Sequence, residues 1–199
     1  MIGDDAKALL LDYLHSSRAA LVEKLVGLSE FEARRPRTAT GTNLLGLVKH
    51  LAGVEIAYFG PTFDRPFADP PAWLDDAAFD VDPNVDMWAT ADESREEIVA
   101  LYRRAWAHGD ATIAALPLDA IGRVPHWPAE RATVTLHHVI VRVLTDTARH
   151  AGHADILRET VDGAAGPRMT GDSMPSADPA FWAAYVARVE AAAQAAAPA

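Results

Sequence analysis

The stretch Thr145–Glu159, TDTARHAGHADILRE, contains no proline and reads as helix, yet it sets Asp146, His150 and His153 where a helix normally buries leucine or valine. At 100° per residue, Leu136, Val139, Val143, His150, His153 and Leu157 all fall within roughly 80° of Asp146. Three ionisable side chains therefore interrupt the apolar stripe that the helix turns towards a core. An unpaired buried carboxylate costs several kcal/mol, and an imidazole needs partners for both nitrogens, so something must compensate the group. A divalent cation would do so, and Asp146 with His150 has the i,i+4 spacing that presents two ligands from one face.

The rest of the chain supplies the partners for that helix. A first helix is expected over Leu9–Leu28, with Asp4 or Asp5 capping it. A second, Leu44–Phe59 (LLGLVKHLAGVEIAYF), is apolar enough to be largely buried; Thr40, Thr42 or Asn43 caps it and it ends before Pro61. Residues 62–90 hold four prolines and many aspartates, which predicts a long loop without helix or strand that packs down through Trp73, Phe79 and Trp88. Thr90 and Glu93 form a capping-box pattern for a third helix reaching Leu116. A fourth is expected from about residue 129 to 161, stopped by Gly163 and Gly166, and a fifth follows Asp178 and Pro179. Four long helices, a C-terminal fifth and no strand predict an all-α bundle, read as a single domain over 1–199 with a C-terminal extension from about residue 164.

The second helix offers an inward donor to complete a site, His50, with Gly46 and Gly53 on the same face one turn to either side. Each glycine weakens a helix by roughly 1 kcal/mol, so the pair implies that space is needed beside His50 or that another helix packs closely. Two readings fit these residues: a metal site of His50, Asp146 and His150 with open coordination positions, or a core histidine beside a hydrogen-bonded Asp–His pair. His153 is open between a fourth ligand, a group that orients another ligand, and a substrate contact. His137 and His138 read as structural, and His15, His108 and His126 as surface or packing residues. The DVDPNVD segment, Asp80–Asp86, alternates acids like a calcium loop, but Val85 replaces the required glycine and Ala91 the closing glutamate.

Composition bounds the function. The formal charge is -10, from 28 acidic and 18 basic residues without a basic run, which argues against nucleic acid or an anionic membrane surface as a partner. No apolar run approaches the roughly 20 residues of a membrane span and the N-terminus lacks a signal-peptide pattern, so a cytoplasmic location is expected. There is no cysteine, so any metal rests on histidine and carboxylate and any reactive thiol arrives on another molecule.

GTNLLGLVKHLAGVE, FGPTFDRPF, MWATADESREEIVALYRRAW and TARHAGHADILRE together resemble an actinobacterial branch of the DinB/YfiT-like family, over nearly the whole chain. The resemblance implies a four-helix bundle with a divalent metal held by His50, Asp146 and His150. The sequence departs from the family pattern in having Asp146 where relatives commonly have His or Glu, and His153 where many have Gln. Zinc or nickel is implied, with iron or manganese also suited to the donors. Relatives include transferases and an isomerase that use low-molecular-weight thiols, mycothiol in actinobacteria and bacillithiol elsewhere. Thiol-dependent S-transfer or isomerisation of small electrophiles is therefore the leading expectation, with His153 shuttling a proton or orienting a ligand and Arg149 or Arg158 binding a cofactor carboxylate. The alternatives are a metal-dependent hydrolase and a non-catalytic, stress-associated bundle that binds a ligand or partner. The apolar stripe of the last helix suits a homodimer.

Overall fold

The computed structural model describes residues 5–166 and 174–197. Its four long helices are α1 (Ala6–Glu23), α3 (Leu44–Phe59), α5 (Arg95–Ala115) and α6 (Leu136–Asp162), joined by the short α2 (Glu30–Arg34) and α4 (Asp76–Val81) and followed by α7 (Pro179–Ala195). α3 lies centrally, packed on α5 and α6, and α1 closes the bundle against α6. The architecture is the expected mostly helical bundle.

The local signals explain most helix ends. Asp5 accepts from the Lys7 amide to open α1, Asn43 from the Gly46 amide to open α3, and Asp178 from the Ala180 amide to open α7. Gly163, at φ 78°, closes α6 in the left-handed conformation that glycine adopts freely. α1 stops at Glu23, five residues short of the predicted end, in a turn run that leads to Gly27 at φ 78°. The capping box lies four residues beyond Thr90: Ser94 accepts from the Glu97 amide and the Glu97 carboxylate accepts from the Ser94 amide. Thr90 and Glu93 make only half a box, the Thr90 amide donating to the Glu93 carboxylate within a turn.

Three further expectations fail. The chain does contain strands: β1 (Ile121–Arg123) pairs antiparallel with β2 (Thr133–Thr135), Gly122 opposite Val134. This hairpin takes the residues assigned to the start of the fourth helix, so α6 begins at Leu136, where Thr135 caps it through the His138 amide. The loop after α3 is also not free of helix, since α4 and two single 3-10 turns, Pro61–Phe63 and Ala72–Leu74, fit between its prolines.

The apolar core is divided. One cluster gathers around Leu21, Leu45, Val48, Ile98 and Ala154, the other around Leu14, Phe59, Ile113, Val139 and Val143. Between them Arg18 of α1 grips Glu55 of α3 through two 2.6 Å hydrogen bonds, both side chains fully buried, and reaches Asp110 of α5 at 2.7 Å. Asp110 also meets His15 at 2.8 Å. Burial pushes the Glu55 carboxyl up and the Arg18 charge opposes that shift, so each group needs the other.

Candidate functional site

The contact of α3 with α6 brings together the three residues on which the sequence reading centres. His50 Nε2 lies 4.0 Å from one Asp146 carboxylate oxygen, and His150 Nε2 lies 3.5 Å from the other. The two imidazoles meet edge to face with centroids 4.9 Å apart. One donor atom from each residue falls within 4.8 Å of the others, an arrangement that could hold a metal ion. The shorter aspartate side chain is long enough here to bring a carboxylate oxygen beside both rings. All three residues are partly exposed, so the group opens to solvent on one side. Burial, and next the nearby His50, push the His150 imidazole below its ordinary value, which favours the neutral ring that a metal requires. Two imidazole nitrogens and a carboxylate oxygen are the donor types that zinc, nickel, iron and manganese accept, and three protein ligands leave positions open.

His50 is aimed by a residue that the sequence reading passes over. Its Nδ1 is 2.6 Å from Asp86 Oδ2, so the carboxylate accepts the ring proton and turns Nε2 towards Asp146 and His150. Asp86 belongs to the DVDPNVD segment dismissed as a calcium loop, and α3 is shaped to receive that segment. A Cβ on Gly46 would overlap the carbonyl oxygen of Met87, and the Asn43 amide donates to the same oxygen at 3.1 Å. The Lys49 ammonium donates to the Trp88 carbonyl at 3.0 Å. A Cβ on Gly53 would lie 3.2 Å from Trp73 and Leu74. The space beside His50 thus admits a loop rather than a helix. Trp73 packs down as expected, whereas Trp88 is 46% exposed and hydrogen-bonds Asp82 at 2.8 Å.

The family model for mycothiol-S-transferases matches residues 9–163. The chain belongs to this DinB-like family. The match takes in α1 almost entirely and α2 to α6 whole, with His50, Asp86, Asp146 and His150 all inside it, and stops before α7. A search among curated proteins finds no match.

Within this mycothiol-S-transferase family member, the remaining candidates separate by position. His153 is exposed at the rim of the site, its Nδ1 3.4 Å from His150 Nδ1. Arg149 is exposed beside His150, and its positive charge helps to depress that ring's pKa. Arg158 is buried elsewhere: its guanidinium donates to the carbonyls of Lys24 and Val26 and to the Asp162 carboxylate, tying α6 to the end of α1. His138 lies 5.8 Å from the Trp127 ring, His126 5.5 Å from that of Tyr58 and His108 5.4 Å from that of Phe67, in packing positions. Among the described residues no helix is long and apolar enough to cross a membrane.

Proposed function

We propose that this protein is a metal-dependent S-transferase that joins mycothiol to small electrophiles, with His50, Asp146 and His150 as metal ligands. The observation that carries this reading is the convergence of those three donor sets within 4.8 Å in a chain of the mycothiol-S-transferase family. Zinc or nickel is the expected ion, given the imidazole and carboxylate donors. Bound there, a divalent cation supplies the positive charge that lowers the pKa of a nearby thiol.

The chain's own residues do the rest. Asp86 fixes the tautomer and direction of the His50 ring. His153 steadies His150 and, being exposed, passes the thiol proton to solvent. Arg149 contributes positive charge at the mouth of the site. Arg158 has its nitrogens engaged in the fold and plays no part in this reading. The exposed stripe Phe181, Tyr185 and Val189 of α7 is the surface offered to a second copy of the chain, and sedimentation of a chain truncated after residue 163 tests that contact.

The deciding experiment is metal analysis of protein purified without a histidine tag, repeated on His50→Ala and His150→Ala. Close to one ion per chain in the parent and a loss in both variants is expected. A metal-free parent protein overturns the reading. With metal present, formation of an S-dinitrophenyl adduct from mycothiol and 1-chloro-2,4-dinitrobenzene is expected, and hydrolysis of test esters without thiol consumption would point to a hydrolase instead.

A further inference from the structure

An open groove of about 380 Å³ runs along α6, lined by His138, Val141, Arg142, Thr145, Asp146 and Arg149, all exposed except the half-buried Asp146. Its two arginines flank the aspartate, one about 6 Å before it and the other about 4.5 Å beyond it along the helix axis, at 1.5 Å per residue. Neither guanidinium has a carboxylate within salt-bridge distance among the described residues, although the chain carries ten more acids than bases.

Arg142 is held ready. Its Nε donates to the Tyr58 hydroxyl at 3.1 Å, and the Trp127 indole donates to the same oxygen at 3.2 Å. The guanidinium carbon lies 5.5 Å from both the Tyr58 and Trp127 ring centroids. Tyr58 is buried, so this support is fixed in the core. Among the described residues the two terminal nitrogens of Arg142 make no hydrogen bond, and neither does the Arg149 side chain. A planar fork with both tips free matches the two oxygens of a carboxylate.

We propose that this groove binds the carboxylate of an anionic electrophile, so that the enzyme selects carboxylate-bearing substrates over neutral ones. Arg142 lies on the far side of Asp146 from His150, so a charged end held on Arg142 leaves the remainder of the molecule to extend past Asp146 towards His150, with Arg149 adding positive charge beside it.

The selection of substrates rests on the S-transferase reading, but the anion site does not, and two measurements keep them apart. The first is calorimetric titration of the protein with 3,5-dinitrobenzoate and with its methyl ester, neither of which carries a halide for a thiol to displace. The acid is expected to bind at least tenfold more tightly, and the difference to vanish in Arg142→Gln and Arg149→Gln. Arg149 is exposed and unpartnered, so its variant keeps the fold even if Arg142→Gln disturbs Tyr58. Equal binding of acid and ester, or a preference that survives both substitutions, overturns the proposal. The second measurement uses mycothiol with 4-chloro-3,5-dinitrobenzoate and its methyl ester. The thiol gives up its proton, the carbon–sulfur bond forms and the carbon–chlorine bond breaks with release of chloride. After correction for uncatalysed rates, kcat/KM for the acid is expected to exceed that for the ester at least tenfold, and the ratio to approach one in the arginine variants through a raised KM for the acid. A calorimetric preference without turnover of either compound would uphold the anion site and count against S-transfer alone.

Discussion

The Nδ1 of His50 and the Oδ2 of Asp86 lie 2.6 Å apart across 36 residues of chain, so a loop decides which way a helical histidine points. Carboxylates that hold a ligand histidine commonly contribute 10–100-fold to metal affinity. Asp86→Asn is therefore expected to weaken zinc or nickel binding about 10–100-fold while leaving the helical circular dichroism unchanged. Competition with a chromogenic chelator measures it, and an unchanged affinity would remove Asp86 from the site.

Gly46 and Gly53 occupy the same face of α3, but substitution should affect them differently. Alanine at Gly46 meets the Met87 backbone, which moves only if the loop moves, whereas alanine at Gly53 meets side-chain atoms 3.2 Å away that can yield. Gly46→Ala is expected to cost about 1–3 kcal/mol by overpacking and to lower metal affinity alongside Asp86→Asn. Gly53→Ala costs less and spares the metal. Gly152, exposed in α6 with no atom near its missing Cβ, is the control, since alanine there gains up to about 1 kcal/mol. Urea unfolding of the metal-free proteins ranks the three.

The buried pair of Arg18 and Glu55 predicts strong non-additivity. Arg18→Met leaves a buried carboxylate without its counter-charge and is expected to cost about 3–5 kcal/mol, more than the double variant Arg18→Met, Glu55→Leu. Without Arg18, burial first and then the Asp110 charge raise the folded pKa of Glu55 above the unfolded value, opposed only by His15. The stability of the single variant should then recover as the pH falls and decline as the pH rises through the folded pKa. Denaturant titrations at several pH values test both the ranking and the sign.

His150 gives a prediction of opposite sign. Its folded pKa is depressed, so in the metal-free protein its contribution to stability is complete above the ordinary imidazole value of about 6.5 and is lost as the pH falls towards the folded pKa. Proton NMR of the metal-free protein should show the His150 ring titrating below about 6.5. His50→Gln removes one of the causes and should move that midpoint up; a midpoint that stays put would remove His50 from those causes.

The sequence revealed features whose cause lies nearby in the chain. α3 was legible because Asn43 caps it, an apolar run fills it and Pro61 follows it. Asp146 and His150 were legible because a polar break in an apolar stripe is itself periodic. The hairpin was not, since three-residue strands are too short to show alternation and TVT leads directly into the α6 pattern. Two successive capping-box patterns in the sequence, Thr90 with Glu93 and Ser94 with Glu97, have the same form, and the apolar stripe that begins at Ile98 favours the second. Asp86 had no local signature. The only hint was indirect: Gly46 on the His50 face asks for a close backbone neighbour, and the sequence does not say which segment arrives there.

One helix, α6, carries Arg142, Asp146, Arg149 and His150, without a proline to bend it. It therefore acts as a ruler: the separation between the guanidiniums and the Asp146–His150 pair is set in helical steps and hardly changes with movements of the loops. Moving Arg142 by four positions towards the start of the helix would shift its charge by one turn, about 6 Å, without disturbing the donors. Substrate length in such a bundle can thus change by single substitutions along a rigid rod, while the reactive end of the molecule keeps its place.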